Sequence, residues 1–213
     1  MTSHLSRRAG VVFWVVLAVL AVGAFAGLFF SAFQPSPAVG QTVTVSATIN
    51  KTISCSESTT TTSFGPLAAG SVNTSTPNVS STMACANDLG GCTLSINDAG
   101  NGTTGGLYSA GTSHLIPSPN AAFAATATLV AGTEGFGINA TTTAGTGAPF
   151  TLAANYAGSG ATVGKLSTTP ATLVSTTATT TGASVLVTHL VAISATTPAG
   201  SYTDTITYGC LAN

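Results

Sequence analysis

The sequence predicts an all-β fold, an antiparallel β-sandwich preceded by one N-terminal hydrophobic helix, and three observations carry that prediction. Short stretches of period-two alternation recur after residue 40, separated by Gly, Pro and Asn turns. No amphipathic helical stretch follows the N-terminal apolar run. Thr and Ser supply most of the polarity, in hydroxyl-dense runs at residues 59–62, 141–143 and 175–181, and a β-branched Thr suits a pleated surface.

The N-terminal element rests on Arg7 and Arg8 followed by residues 11–33, which contain no charged side chain. At about 1.5 Å of rise per residue that run is long enough to cross a bilayer, and longer than the apolar core of most secretory signals. Residues 34–38, Gln-Pro-Ser-Pro-Ala, offer only a weak cleavage pattern around Ser36 and Ala38, so an uncleaved signal anchor is favoured over a removed signal. The expected organisation is a cytoplasmic n-region at 1–10, a transmembrane anchor at 11–33, a linker at 34–40 and an extracytoplasmic sandwich at 41–213. The domain is then displayed at the cell surface, or secreted where the segment is cleaved.

Strands are expected at 41–49, 78–85, 92–96, 123–130, 135–140, 150–155, 184–193 and 201–208, with turns at 90–91, 97–106, 117–120, 145–149 and 198–200. The first is the most regular. Val43, Val45, Ala47 and Ile49 fall on one face and Thr42, Thr44, Ser46 and Thr48 on the other, the pattern of a half-buried strand.

Composition excludes several functions. Only 4% of residues are charged, four basic and five acidic, so no nucleic-acid footprint can be assembled. Apolar content of 44% is enough to fill a core, against disorder. The five acidic residues, Glu57, Asp88, Asp98, Glu134 and Asp204, stand singly in the sequence, unlike a glycosidase pair. His114 and His189 lack an accompanying Gly-x-Ser-x-Gly turn. Residues 97–102, Asn-Asp-Ala-Gly-Asn-Gly, lack the closing bidentate acid of a calcium loop and read as a tight turn. No catalytic, cofactor-binding or metal residues are expected, and the chain is expected not to be an enzyme.

Two stretches resemble a known family, the spore coat protein U domain. One is Cys55 followed nine residues later by Phe64-Gly65, then 79–85 closing on Cys85, then Thr93-Leu94-Ser95-Ile96 ahead of a Gly-rich turn. The other is Pro198-Ala199-Gly200-Ser201-Tyr202-Thr203-Asp204-Thr205-Ile206-Thr207-Tyr208, similar to that family's closing strand. The resemblance implies a pilin-like, immunoglobulin-type sandwich of the kind found in secreted coats and fimbria-like assemblies. Cys92 and Cys210 are additional to the family's two cysteines, residues 107–184 have no counterpart motif, and the N-terminal segment is long for a secreted coat subunit.

Such a sandwich gathers Cys55, Cys85, Cys92 and Cys210 at one pole, and an even count beyond the membrane segment fits two disulfides. Cys85 with Cys92 closes a tight loop and leaves Cys55 with Cys210; the family resemblance implies instead Cys55 with Cys85 and Cys92 with Cys210. The first pairing is favoured. A zinc site is not expected, because the Cys85 to Cys92 spacing lacks short ligand pairs.

The leading functional expectation is a structural or adhesive cell-envelope subunit, a coat or fimbria-like component. Its partners would be the membrane, through the N-terminal segment, and other copies of itself or other surface proteins. Val43, Val45, Ala47 and Ile49 form a candidate donor strand for pairing with an exposed sheet edge of another copy. The alternative is a module for glycans or ice, using Thr faces or Tyr108, Tyr156 and Phe136 as platforms.

Overall fold

A computed structural model describes residue 40 and residues 42–213; the expected helix at 11–33 and its flanks lie outside the described residues. Among the described residues there are fourteen strands and one short 3-10 turn, Ala154–Tyr156, and no α-helix. The strands are β1 Ile53–Glu57, β2 Val72–Thr74, β3 Val79–Cys85, β4 Cys92–Asp98, β5 Gly106–Ser109, β6 His114–Pro117, β7 Thr126–Thr128, β8 Gly135–Thr143, β9 Thr146–Gly147, β10 Thr151–Leu152, β11 Thr162–Gly164, β12 Ala171–Ser175, β13 Thr180–Ala192 and β14 Ile206–Ala212.

Two antiparallel sheets form the body. The larger runs β1-β3-β13-β8-β11-β7, with β2 and β9 also on β13, and the smaller runs β10-β12-β4-β14. A two-stranded β5-β6 hairpin stands apart. Alternation sets which side chains enter the core. Along β3, Val79, Ser81, Met83 and Cys85 are buried, and along β4 so are Cys92, Leu94, Ile96 and Asp98, every second residue in each. Met83, Leu94, Ile96, Ile138, Val185 and Val187 belong to one cluster. Leu190 and Ala192 turn to the other face of β13 and join Leu129 and Val163 in a smaller cluster, which is why residues 189–192 are buried on both faces.

Cys55 is bonded to Cys210 and Cys85 to Cys92, with Cα atoms 6.5 and 6.3 Å apart. This differs from the pairing implied by the family resemblance. Cys55–Cys210 joins β1 to β14, the exposed edge of one sheet to that of the other. The Cys85–Cys92 loop turns on Gly91, at φ +79°, where a Cβ would stand 2.2 Å from the Thr176 carbonyl oxygen.

Several expected elements are corrected. Residues 42–49 form no strand, and Val43, Val45 and Ile49 are 82, 89 and 84% exposed, so the half-buried strand expected there is absent from the fold. Alternation specifies an extended segment with one apolar face but not the partner that covers it. Of 123–130 only β7 is extended, and Phe123 packs edge-on against Tyr156, ring centroids 6.3 Å apart. The closing strand starts at Ile206 rather than 201, because Thr203 is bridged to Tyr108 of the hairpin instead.

Met1–Thr48 and Ile49–Asn213 separate as two units. Within the second, Asn50–Thr52 are held at the β3-β4 end. Asn87 Oδ1 accepts from Thr52 N at 2.6 Å, its Nδ2 donates to the Asn50 carbonyl at 2.7 Å, and Lys51 Nζ lies 2.9 Å from Asp88 Oδ2.

The two bridges close loops of very different length, 155 against 7 residues of separation. Chain entropy then gives about 5 kcal/mol for Cys55–Cys210 and about 2–3 kcal/mol for Cys85–Cys92. Replacing each pair by Ala is expected to lower the urea midpoint in that order; equal losses would contradict it.

Candidate functional site

A cleft of about 1180 Å³ opens between the sheets where the two strands tied by Cys55–Cys210 run on toward Glu57 and back toward Ile206. Its floor is the inner face of the larger sheet, with Val79, Phe136 and His189, flanked by Leu107 of the hairpin. One wall is the segment from Glu57 to Leu67, the other the segment from Thr197 to Tyr208.

Hydrogen bonds that tie loops to distant strands fix both walls. In the first, Ser63 and Thr76 exchange backbone bonds at 3.1 and 2.8 Å, Thr62 Oγ1 donates to the Pro77 carbonyl at 2.7 Å, and Phe64 meets Phe136 edge-on with centroids 6.2 Å apart. In the second, Tyr108 and Thr203 exchange backbone bonds at 3.1 and 2.8 Å, and Tyr202 Oη donates to the Pro198 carbonyl at 2.8 Å. A polar clasp backs this wall. His114 Nε2 donates to the Glu134 carboxylate at 3.0 and 3.1 Å, and Thr197 Oγ1 donates to the same carboxylate.

The inward positions that line the cleft include polar residues. Glu57 continues the inward row of Ile53 and Cys55 and accepts from Ser81 Oγ at 3.3 Å. His189 continues the row of Val185 and Val187, is 3% exposed, and has Nδ1 3.4 Å from Ser75 Oγ. Burial pushes this imidazole down to about 4. Across from it, Asp204 and Tyr208 continue the inward row of Ile206 and Cys210. Burial, and behind it the Glu57 charge, raise the Tyr208 hydroxyl above its ordinary range. Asp204 Oδ1 accepts from the backbone N–H of Gly100 at 3.0 Å and of Thr205 at 2.8 Å, yet burial still raises its carboxyl.

Asp98 and Asp204, far apart in sequence, become neighbours. Asp98 is 1% exposed and accepts from Gly106 N at 2.9 Å. Burial first, and the Asp204 charge second, push its carboxyl up to about 6. Gly105 is obligatory here, since a Cβ would lie 2.7 Å from both Asp98 Oδ1 and the Leu166 carbonyl oxygen. The 97–102 segment is a turn, with Asn101 Oδ1 accepting from Thr103 N at 3.1 Å and Thr104 N at 2.8 Å. Among the described residues no group of three or more His, Cys, Asp or Glu side chains is placed to hold a metal ion.

Neither described histidine lies between a hydroxyl and an acid, the order that nucleophilic catalysis needs. Ser75 beside His189 is 1% exposed and does not line the cleft. At the clasp, Glu134 is central and Thr197 bonds to it rather than to His114. Of the aromatic platforms expected for a ligand, Tyr156 and Phe136 are 0 and 2% exposed, so neither presents a ring face to solvent. Phe64, Tyr202 and Tyr208 were not expected at a site, although the inward alternation of Tyr202, Asp204 and Tyr208 is the signal that marks a polar interior.

Asp98 and His189 give opposite pH dependences. A carboxyl raised from 3.8 to about 6 adds stability that is full below its unfolded value and lost as pH rises through 6. An imidazole lowered from 6.5 to about 4 adds stability that is full above 6.5 and lost as pH falls through 4. Between pH 4 and 6.5 the two slopes oppose one another. Asp98→Asn is expected to expose the histidine slope, with unfolding free energy dropping by about 2 kcal/mol more than wild type on acidification over that window. Urea midpoints measured across the range test this, and parallel curves would exclude it.

No family model, curated protein or solved structure matches the chain. The family resemblance therefore stands on the sequence motifs around Cys55 and Tyr202 alone.

Proposed function

We propose that this chain is a non-enzymatic structural or adhesive subunit of a cell envelope. Its N-terminal apolar segment holds it at the membrane, or is cleaved to release it. Its exposed body is an immunoglobulin-type, pilin-like sandwich, and copies assemble by β-strand donation. The reading is supported by residues 42–49, which keep a two-faced strand pattern while Val43, Val45 and Ile49 remain at least 82% exposed. Solvent-exposed alternating apolar residues in a chain that also carries an open, apolar-floored cleft are what donation requires of donor and acceptor. The cleft lies between the outer edges of the two sheets, where backbone groups of β1 and β14 are free to pair.

A second reading, a ligand-binding module for glycans or ice, draws on the outer face of the larger sheet. There Ser56, Thr82, Ser184 and Thr143 sit side by side on four adjacent strands, a charge-free rung of hydroxyls about 4.8 Å apart. Thr82→Tyr would abolish glycan or ice binding under this reading and leave assembly untouched.

Deleting residues 41–50 from the full chain is expected to convert an oligomer in detergent into a monomer and to reduce its surface display. Unchanged size and display would remove strand donation from the account.

A further inference from the structure

The closed end of the sandwich and the cleft differ in chemistry. At the closed end the facing inward positions are apolar, such as Met83, Val185 and Leu94. In the cleft they include His189, Asp204 and Tyr208. His189 Nε2, Asp204 Oδ2 and Tyr208 Oη are all buried and have no hydrogen-bond partner among the described residues. An occupant that covers these atoms with hydrocarbon leaves them unsatisfied; one that brings hydroxyls supplies what the domain does not.

The segment at 42–49 has both faces. Thr44, Ser46 and Thr48 alternate with Val43, Val45, Ala47 and Ile49. Charge does not oppose it: no Lys or Arg lines the cleft, Glu57 and Asp204 are its acidic side chains, and residues 42–50 are uncharged.

Resting on the strand-donation reading, we infer that the donor segment of a second copy is selected on its hydroxyl face as well as its apolar face. Thr44, Ser46 and Thr48 answer Asp204 and Tyr208 on the β14 side, while the apolar row covers Val79 and Phe136 on the floor opposite. The hydroxyl-bearing residues are therefore specificity determinants rather than the solvated back of a hydrophobic strand.

The test uses the full chain in detergent, with association read by sedimentation across a concentration series. Val43→Asp with Val45→Asp reports on donation itself. Thr44→Val, Ser46→Ala and Thr48→Val together make the segment more apolar, yet are expected to raise the association midpoint about tenfold or more. These positions are exposed and outside the fold, so the variant folds as wild type does. Combining it with Tyr208→Phe, which removes an unpartnered atom on the side the hydroxyls face, is expected to recover part of the loss. If the apolar donor associates as tightly as wild type or more tightly, while the Asp variant does not associate, donation stands and hydroxyl selection is overturned. If wild type does not associate, or the Asp variant associates normally, both are overturned.

Discussion

The bond between Cys55 and Cys210 is the constraint on which the rest of the architecture turns. It joins the edge strand of one sheet to the edge strand of the other and fixes their Cα atoms 6.5 Å apart. On one side of it the sheets close over Met83, Leu94 and Val185. On the other, β1 runs on to Glu57 and leaves the sheet, β14 has not yet begun, and the layers are spaced by loops instead of by each other. The cleft is the geometric result of pinning two twisted sheets at one point along a shared edge.

Where the pattern was local, the sequence was legible. The strands expected at 78–85 and 92–96 appear at 79–85 and 92–98 with every second residue buried, because each has one face on the core; Asn97 and Asp98, which read as turn, extend the second. The run at 184–193 was also plain, but its extension back to Thr180 passes through a register shift at Gly182, whose φ of +68° a strand pattern does not announce. The β5-β6 hairpin was missed because Gly and Pro at its ends read as loop, although Leu107 and Ile116 are buried within it. Of the cleft, only the alternation of Tyr202, Asp204 and Tyr208 was legible. His189, Phe64, Asp204 and Tyr208 meet only through long-range strand pairing, and no spacing along the chain encodes it.

Charge is scarce, and the described residues use it internally. Lys51 meets Asp88, His114 meets Glu134, and Asp98 and Asp204 turn toward backbone N–H groups. Little is left to set up a long-range field, so contacts that this surface makes would be governed by short-range shape and hydrogen bonding rather than by charge.

The fastening of Asn50–Thr52 to Asn87 and Asp88 has a symmetry consequence. That anchor sits where β3 ends and β4 begins, whereas the cleft opens where β3 starts and β4 ends. Any contact that puts the anchored tail of one copy into the groove of the next joins unlike poles. Two antiparallel copies about a twofold axis can exchange tails reciprocally; without that closure the contacts repeat in one direction and end only in a ring or an unbounded file of subunits.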